Sequence, residues 1–169
     1  MSPRERRLQA DLQHMNELAD RGTVSFRCEG DPPEDYEVMF SVPGIALSPE
    51  RRPVVRSTHR AHIYLHLDYP RRPPVVTWLT PVFHPNLLGP DQHGGVCIGS
   101  WSASEGLADL CERLAELVSY QSFNVDDALN PLAADWVRTG QIEPGVAVGE
   151  LTGDDAQVIA ESVVARVES

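Results

Sequence analysis

Lysine is missing from this chain. Its 169 residues include 14 counted as lysine or arginine, and every one is arginine, although lysine is ordinarily a common residue. Codon usage in a GC-rich genome explains such a bias. A positive surplus is also missing. The net charge of −11 argues against a grip on nucleic acid or on an anionic membrane surface. No apolar run is long enough to span a bilayer, and no signal peptide is expected ahead of the first element. Cysteine is scarce: three residues, an odd number without regular spacing. That is no disulfide framework, so a reducing, cytoplasmic setting is expected. There is no internal repeat.

What is present suits one compact domain. Ser2, Pro3 and Glu5 stand at N-cap, N1 and N3 of a helix expected over 2–20, with Leu8, Leu12, Met15 and Ala19 on one face and Gly22 at its end. Alternation predicts a strand at 23–29, with Val24, Phe26 and Cys28 on one side. Asp31-Pro32-Pro33 is a turn, and a strand follows at 36–42. A Pro- and Arg-rich connection then runs from Pro43 to about Arg56. Strands at 59–67 (Ile63, Leu65 and Leu67 on one face) and 75–79 complete a meander. From Thr80 to Trp101, Pro81, Pro85, Gly89, Pro90, Gly94, Gly95 and Gly99 exclude regular structure, and long loops of this kind are often functional.

A helix is expected at 103–119 with the stripe Leu107, Leu110, Cys111, Leu114, Leu117 and Val118. Asn130-Pro131 opens a short helix bearing Leu132, Ala133 and Trp136. The pattern therefore predicts an α+β fold: N-terminal helix, four-stranded antiparallel meander, long loop and C-terminal helices. Residues 1–139 form the expected domain. Residues 140–153 are linker-like, and 154–167 carry Ala156, Ile159, Ala160, Val163 and Val167 at amphipathic spacing, a helix expected to pack on the same domain or on a partner.

The three cysteines are not equivalent. Cys28 shares a strand face with Val24 and Phe26, and Cys111 a helix face with Leu107 and Leu114, so both read as small buried hydrophobes. Cys97 lies in Gly94-Gly95-Val96-Cys97-Ile98-Gly99, a loop that must run over the surface. There a thiol can ionise and attack.

The order Tyr69-Pro70-Arg71-Arg72-Pro73-Pro74, Thr80, His84-Pro85-Asn86, Cys97, Trp101 and Asp126-Asp127-Ala128-Leu129-Asn130 resembles the core of the ubiquitin-conjugating enzyme family, over roughly residues 3–138. The resemblance implies an acyl (aminoacyl) transferase. Cys97 would accept the C-terminus of a ubiquitin-like protein from an activating enzyme's thioester, hold it as its own thioester and pass it to an amine. Exchange between thiols is mild chemistry, because a thiolate is both nucleophile and leaving group. No metal or other cofactor is implied, since ATP is spent upstream by the activating enzyme. The implied partners are that enzyme, the ubiquitin-like protein and either a ligase or a direct protein substrate, with no nucleic acid and no membrane.

Roles for further residues follow from the same resemblance. Asn86 has two readings: a carboxamide donor to the oxyanion, worth about 2.7–4 kcal/mol, or a loop pin through backbone hydrogen bonds. His84 is read as holding the loop through its ring, with a base for Cys97 as the alternative. Asp127, with Asp126 as its substitute, matches the family's acidic position that orients or deprotonates the incoming amine; the alternative is an ordinary loop carboxylate. Arg4, Arg6 and Arg7 oppose the helix dipole and match the basic face that meets the activating enzyme, or else form a solvated helix end. Trp101 with Ser102 and Ala103, and Arg71 with Arg72, match two loops offered to ligases; the arginines read equally well as exposed charge.

The chain also departs from the family. Asn86 and Cys97 are 11 positions apart, a few more than usual, so Gly89 to Gly95 must loop out if Asn86 is to reach the sulfur. Trp101 follows Cys97 sooner than usual, and Ala128 replaces a proline. With the arginine usage, these changes suggest a bacterial conjugation system. The missing lysines gain their second explanation here: a carrier of an activated acyl group risks modifying its own amines, and a lysine-free surface leaves only the α-amino group. Three rival functions remain: a non-catalytic ubiquitin-like-binding scaffold of the same fold, a Cys-His hydrolase using Cys97 with His84 or His93, and a zinc site from His84, His93 and Cys97 with or without His59.

Overall fold

A computed structural model describes residues 1–140; the linker and helix expected over 140–169 otherwise lie outside it. Helix α1 (Pro3–Asp20) starts where the sequence says it should. The Ser2 hydroxyl accepts from the Glu5 amide, and the Glu5 carboxylate accepts from the Ser2 amide, so two donors at the helix start are satisfied reciprocally. Its inward face is Leu8, Asp11, Met15 and Leu18.

Strands β1 (Val24–Gly30), β2 (Pro33–Phe40), β5 (His59–Tyr64) and β6 (Val75–Trp78) form one antiparallel sheet in the order β1-β2-β5-β6. This is the expected meander. Helix α1 and helix α2 (Leu107–Val118) cover one face of it, burying Met15, Val38, Ile63, Trp78, Leu110 and Leu114 together. α2 starts at the first residue of its stripe, four residues later than the expected 103. Its first turn is fixed both from α1, where Asp11 accepts from the Leu107 amide at 3.0 Å, and from within, where Asp109 accepts from the Gly106 amide at 2.8 Å.

Four differences from the sequence pattern have physical causes. The connection from Pro43 to Arg56 holds a hairpin, β3 (Gly44–Leu47) and β4 (Pro53–Arg56). Its strands are too short to show a period, and they form because Ile45 packs against Trp136 and Val137 of helix α3 (Pro131–Gly140). Leu67 lies past the end of β5 and is 83% exposed. Leu132 is 54% exposed, because α3 turns Ala133, Trp136 and Val137 inward instead. Cys28 is exposed, not buried. It sits on the edge strand β1, where burial fades from Val24 outward.

The long loop carries the extra residues compactly. Trp78 donates its amide to Gly94 at 2.8 Å, and Leu88 donates to Gly95 at 2.8 Å. A single 3-10 turn, Pro90–Gln92, reverses the chain between them. Gly94 has φ +66°, and a Cβ there would lie 2.4 Å from the Trp78 carbonyl oxygen, so only glycine fits.

Candidate active site

The looped-out hairpin returns the chain beside Asn86. The Cys97 amide donates to the Asn86 carbonyl at 3.0 Å, and Leu87 bridges Val96. Eleven positions in sequence thus become neighbours in space. Cys97 is partly exposed and lines a groove of about 90 Å3 with Ile98, Leu110, Arg113, Leu114, Leu117 and Ser122. The surroundings of the two remaining cysteines disfavour their thiolates. Burial pushes the Cys111 thiol well up, and partial desolvation raises that of Cys28 although its residue is exposed.

Asn86 is buried, with 2% of its surface exposed. Its carboxamide donates to the Asn124 carbonyl and accepts from the Asn124 amide, both at 2.8 Å. The Asn124 side chain in turn accepts from the amides of Asp126 (2.9 Å) and Asp127 (3.3 Å). Leu129 and Asn130 both donate to the Pro85 carbonyl. The His84-Pro85-Asn86 tripeptide and the acidic loop are therefore stitched into one unit. Asp127 is exposed on that loop, while the Asp126 carboxylate faces Arg138 at 3.7 Å.

His84 is fully buried. Its Nδ1 accepts from the Asn86 amide at 2.9 Å, which places the proton on Nε2, and Nε2 donates to the Leu117 carbonyl at 2.7 Å. Both ring nitrogens are spent on backbone, so the role as a base for Cys97 is withdrawn, along with a hydrolase or zinc site built on His84. Among the described residues no group of three or more His, Cys, Asp or Glu is placed to hold a metal ion.

Burial lowers the His84 pKa to about 3 and that of His59 to about 4. In the unfolded chain both titrate near the ordinary histidine value of about 6.5. The unfolded state therefore binds protons first as pH falls. Stability is full above about 6.5 and declines toward 4. The urea midpoint should hold constant from pH 8 to 7 and drop steadily from 6.5 to 5. A flat midpoint down to pH 5 contradicts this.

A family model described as ubiquitin-conjugating enzyme matches residues 7–143. The chain belongs to the ubiquitin-conjugating enzyme family. It is 27% identical over 115 residues to ubiquitin-conjugating enzyme E2 pex4 of Dictyostelium discoideum, covering 66% of this chain and 74% of the relative. It is 29% identical over 97 residues to E2 13 of Saccharomyces cerevisiae, covering 55% and 61%. To E2 1 of Caenorhabditis elegans it is 26% identical over 146 residues, covering 84% and 70%. Family membership supports the transferase class and a carrier role in ubiquitin-like transfer. It implies contact with a ubiquitin-like protein, an activating enzyme and ligases in general terms. No helix among the described residues is long and apolar enough to cross a membrane.

The residues matched to the family's partner surfaces are placed unevenly. Arg4 is spent internally: its guanidinium donates to the carbonyls of Leu65, His66 and Tyr69 and pairs with Glu34. Arg7 binds Asp11, the Tyr69 hydroxyl and the carbonyls of Ala103 and Glu105. Both tie α1 to distant loops, and of the three arginines Arg6 stays exposed. Asp11, buried under the same helix, accepts from the Tyr69 hydroxyl at 2.6 Å. Trp101 donates to the Pro70 carbonyl at 2.8 Å, which joins the two loops matched to ligase contacts. Ser102 and Arg71 are exposed beside them, Arg71 pairing with Asp68 at 3.0 Å.

Sequence reasoning missed Arg113. From α2 its guanidinium donates to the carbonyls of Ile98 and Ser100 and pairs with Glu105 at 2.5 Å. An arginine flanking an apolar helical stripe reads as solvated surface, so no local signal marks it.

Proposed function

We propose that this chain carries a ubiquitin-like protein as a thioester on Cys97 and passes it to an amine, in a bacterial conjugation system in the cytoplasm, with no metal or cofactor of its own. The observation that carries this reading is the partly exposed Cys97, held by its amide against Asn86 at the mouth of the α2 groove. In the first step the Cys97 thiolate attacks the modifier's C-terminal carbonyl, and the activating enzyme's thiolate leaves. In the second an amine attacks the new thioester, loses a proton and expels the Cys97 thiolate, forming an amide. Asp127 stands on the loop that Asn86 secures, where a carboxylate orients the amine or takes its proton.

The test is to incubate the protein with its activating enzyme, modifier and ATP, then compare gels with and without thiol reductant. An adduct that reductant removes supports the reading. Non-covalent capture of the modifier without an adduct supports the scaffold instead.

The same reading makes the lysine-free surface protective. Ser122 lines the Cys97 groove and is exposed. Ser122→Lys should accumulate a reductant-stable self-adduct at residue 122, located by peptide mass mapping, that the parent chain lacks. A loaded Ser122→Lys chain that stays unmodified would leave codon usage as the explanation.

A further inference from the structure

The segment after Cys97 is short. Only Ile98, Gly99 and Ser100 separate the thiol residue from Trp101, which is anchored on Pro70. Such a segment makes no ladder with a neighbouring strand, so its carbonyls need other donors. Arg113 supplies them: it donates to the Ile98 and Ser100 carbonyls, the latter at 3.0 Å. The planar guanidinium presents several donors in one rigid fork, which a lysine cannot reproduce. Glu105 fixes the other side of that fork at 2.5 Å. On the opposite flank the Cys97 amide is held by the Asn86 carbonyl at 3.0 Å. Cys97 is thus gripped from both sides, by the His84-Pro85-Asn86 tripeptide before it and by a side chain of α2 after it.

We infer that Arg113 is a positioning residue for the Cys97 thiol. It fixes the direction in which the sulfur, and the acyl group bound to it, faces the groove and the acidic loop. This inference rests on the carrier reading of Cys97. Arg113 acts through backbone carbonyls and takes no part in bond making or breaking. Its charge is neutralised by Glu105, so its contribution is geometric. Misplacement of a reacting group by about 1 Å can cost on the order of a hundredfold in rate.

The experiment compares Arg113→Met, which keeps the side-chain length but removes every donor, with Arg113→Lys, which keeps charge and one donor group. Amide hydrogen exchange is followed at Cys97, a readout that needs no partner. Single-turnover discharge of the loaded thioester is followed against amine concentration. Thermal unfolding checks the fold. In Arg113→Met, exchange at Cys97 should quicken about tenfold or more, and discharge at saturating amine should fall tenfold to roughly a hundredfold. The half-saturating amine concentration should stay unchanged, and Arg113→Lys should recover part of the rate. Unchanged exchange, unchanged discharge, or a loss confined to half-saturation overturns the assignment. A parent chain that never loads, given an activating enzyme and modifier verified on another carrier, removes the carrier reading and this proposal with it. Normal loading of the parent with no effect of Arg113→Met overturns this proposal alone.

Discussion

Cys97→Ser should convert the reductant-sensitive adduct into a reductant-stable one, and Cys97→Ala should give none. A serine hydroxyl accepts the acyl group slowly and leaves reluctantly, because an alkoxide is a far poorer leaving group than a thiolate. Amine transfer should drop below detection in both variants, since loss of a nucleophile can cost as much as about 10⁶-fold. The fold should survive. Cys97 is partly exposed, and its single backbone link to Asn86 uses no side-chain atom. An unchanged urea midpoint checks that. The informative control is Cys28→Ser, because Cys28 is more exposed than Cys97 itself. It should load normally.

Asn86→Ala should separate loading from discharge. Loading needs only the thiol and should persist. Discharge should fall by about 10²–10³, the usual penalty for losing an oxyanion donor. The structure offers a second route to a similar loss. The Asn86 carboxamide spends one N–H and its oxygen on the Asn124 backbone, and Asn124 then holds the amides of Asp126 and Asp127. Removing Asn86 therefore releases the acidic loop, and it takes away the side-chain partner of the part-buried Asn124 amide and carbonyl. Asn124→Ala distinguishes the routes, because it frees Asp126 and Asp127 while sparing the Asn86 bonds. Equal losses in the two variants assign Asn86 to positioning. A loss confined to Asn86→Ala assigns it to the oxyanion, through its remaining N–H.

The features legible in the sequence are those set by neighbours in the chain. The Ser2–Glu5 box, the alternation behind β1 and β5 and the α2 stripe are local patterns, and each of these elements formed within a few residues of its expected bounds. What escaped is set by distant contacts. The β3–β4 hairpin exists because α3 covers Ile45. Cys28 is exposed because β1 ends a sheet, and no alternation reveals an edge. Arg4 and Arg7 carried the charge pattern of a partner surface, yet carbonyls about 60 to 100 residues away claim them. The spacing from Asn86 to Cys97 looked too long because a count of positions ignores that Gly89 and Gly94 fold the excess back on itself. Arg113 shows the limit most clearly: only coordinates reveal which carbonyls a long side chain reaches.

The most direct measurement is mass mapping of the loaded chain. The protein is charged with activating enzyme, modifier and ATP, quenched in acid without reductant and digested. The modifier's C-terminal residue should be attached to Cys97 by a hydroxylamine-labile bond, with nothing on Cys28 or Cys111. A modifier attached to Cys28, or an adduct of equal yield in Cys97→Ala, contradicts this.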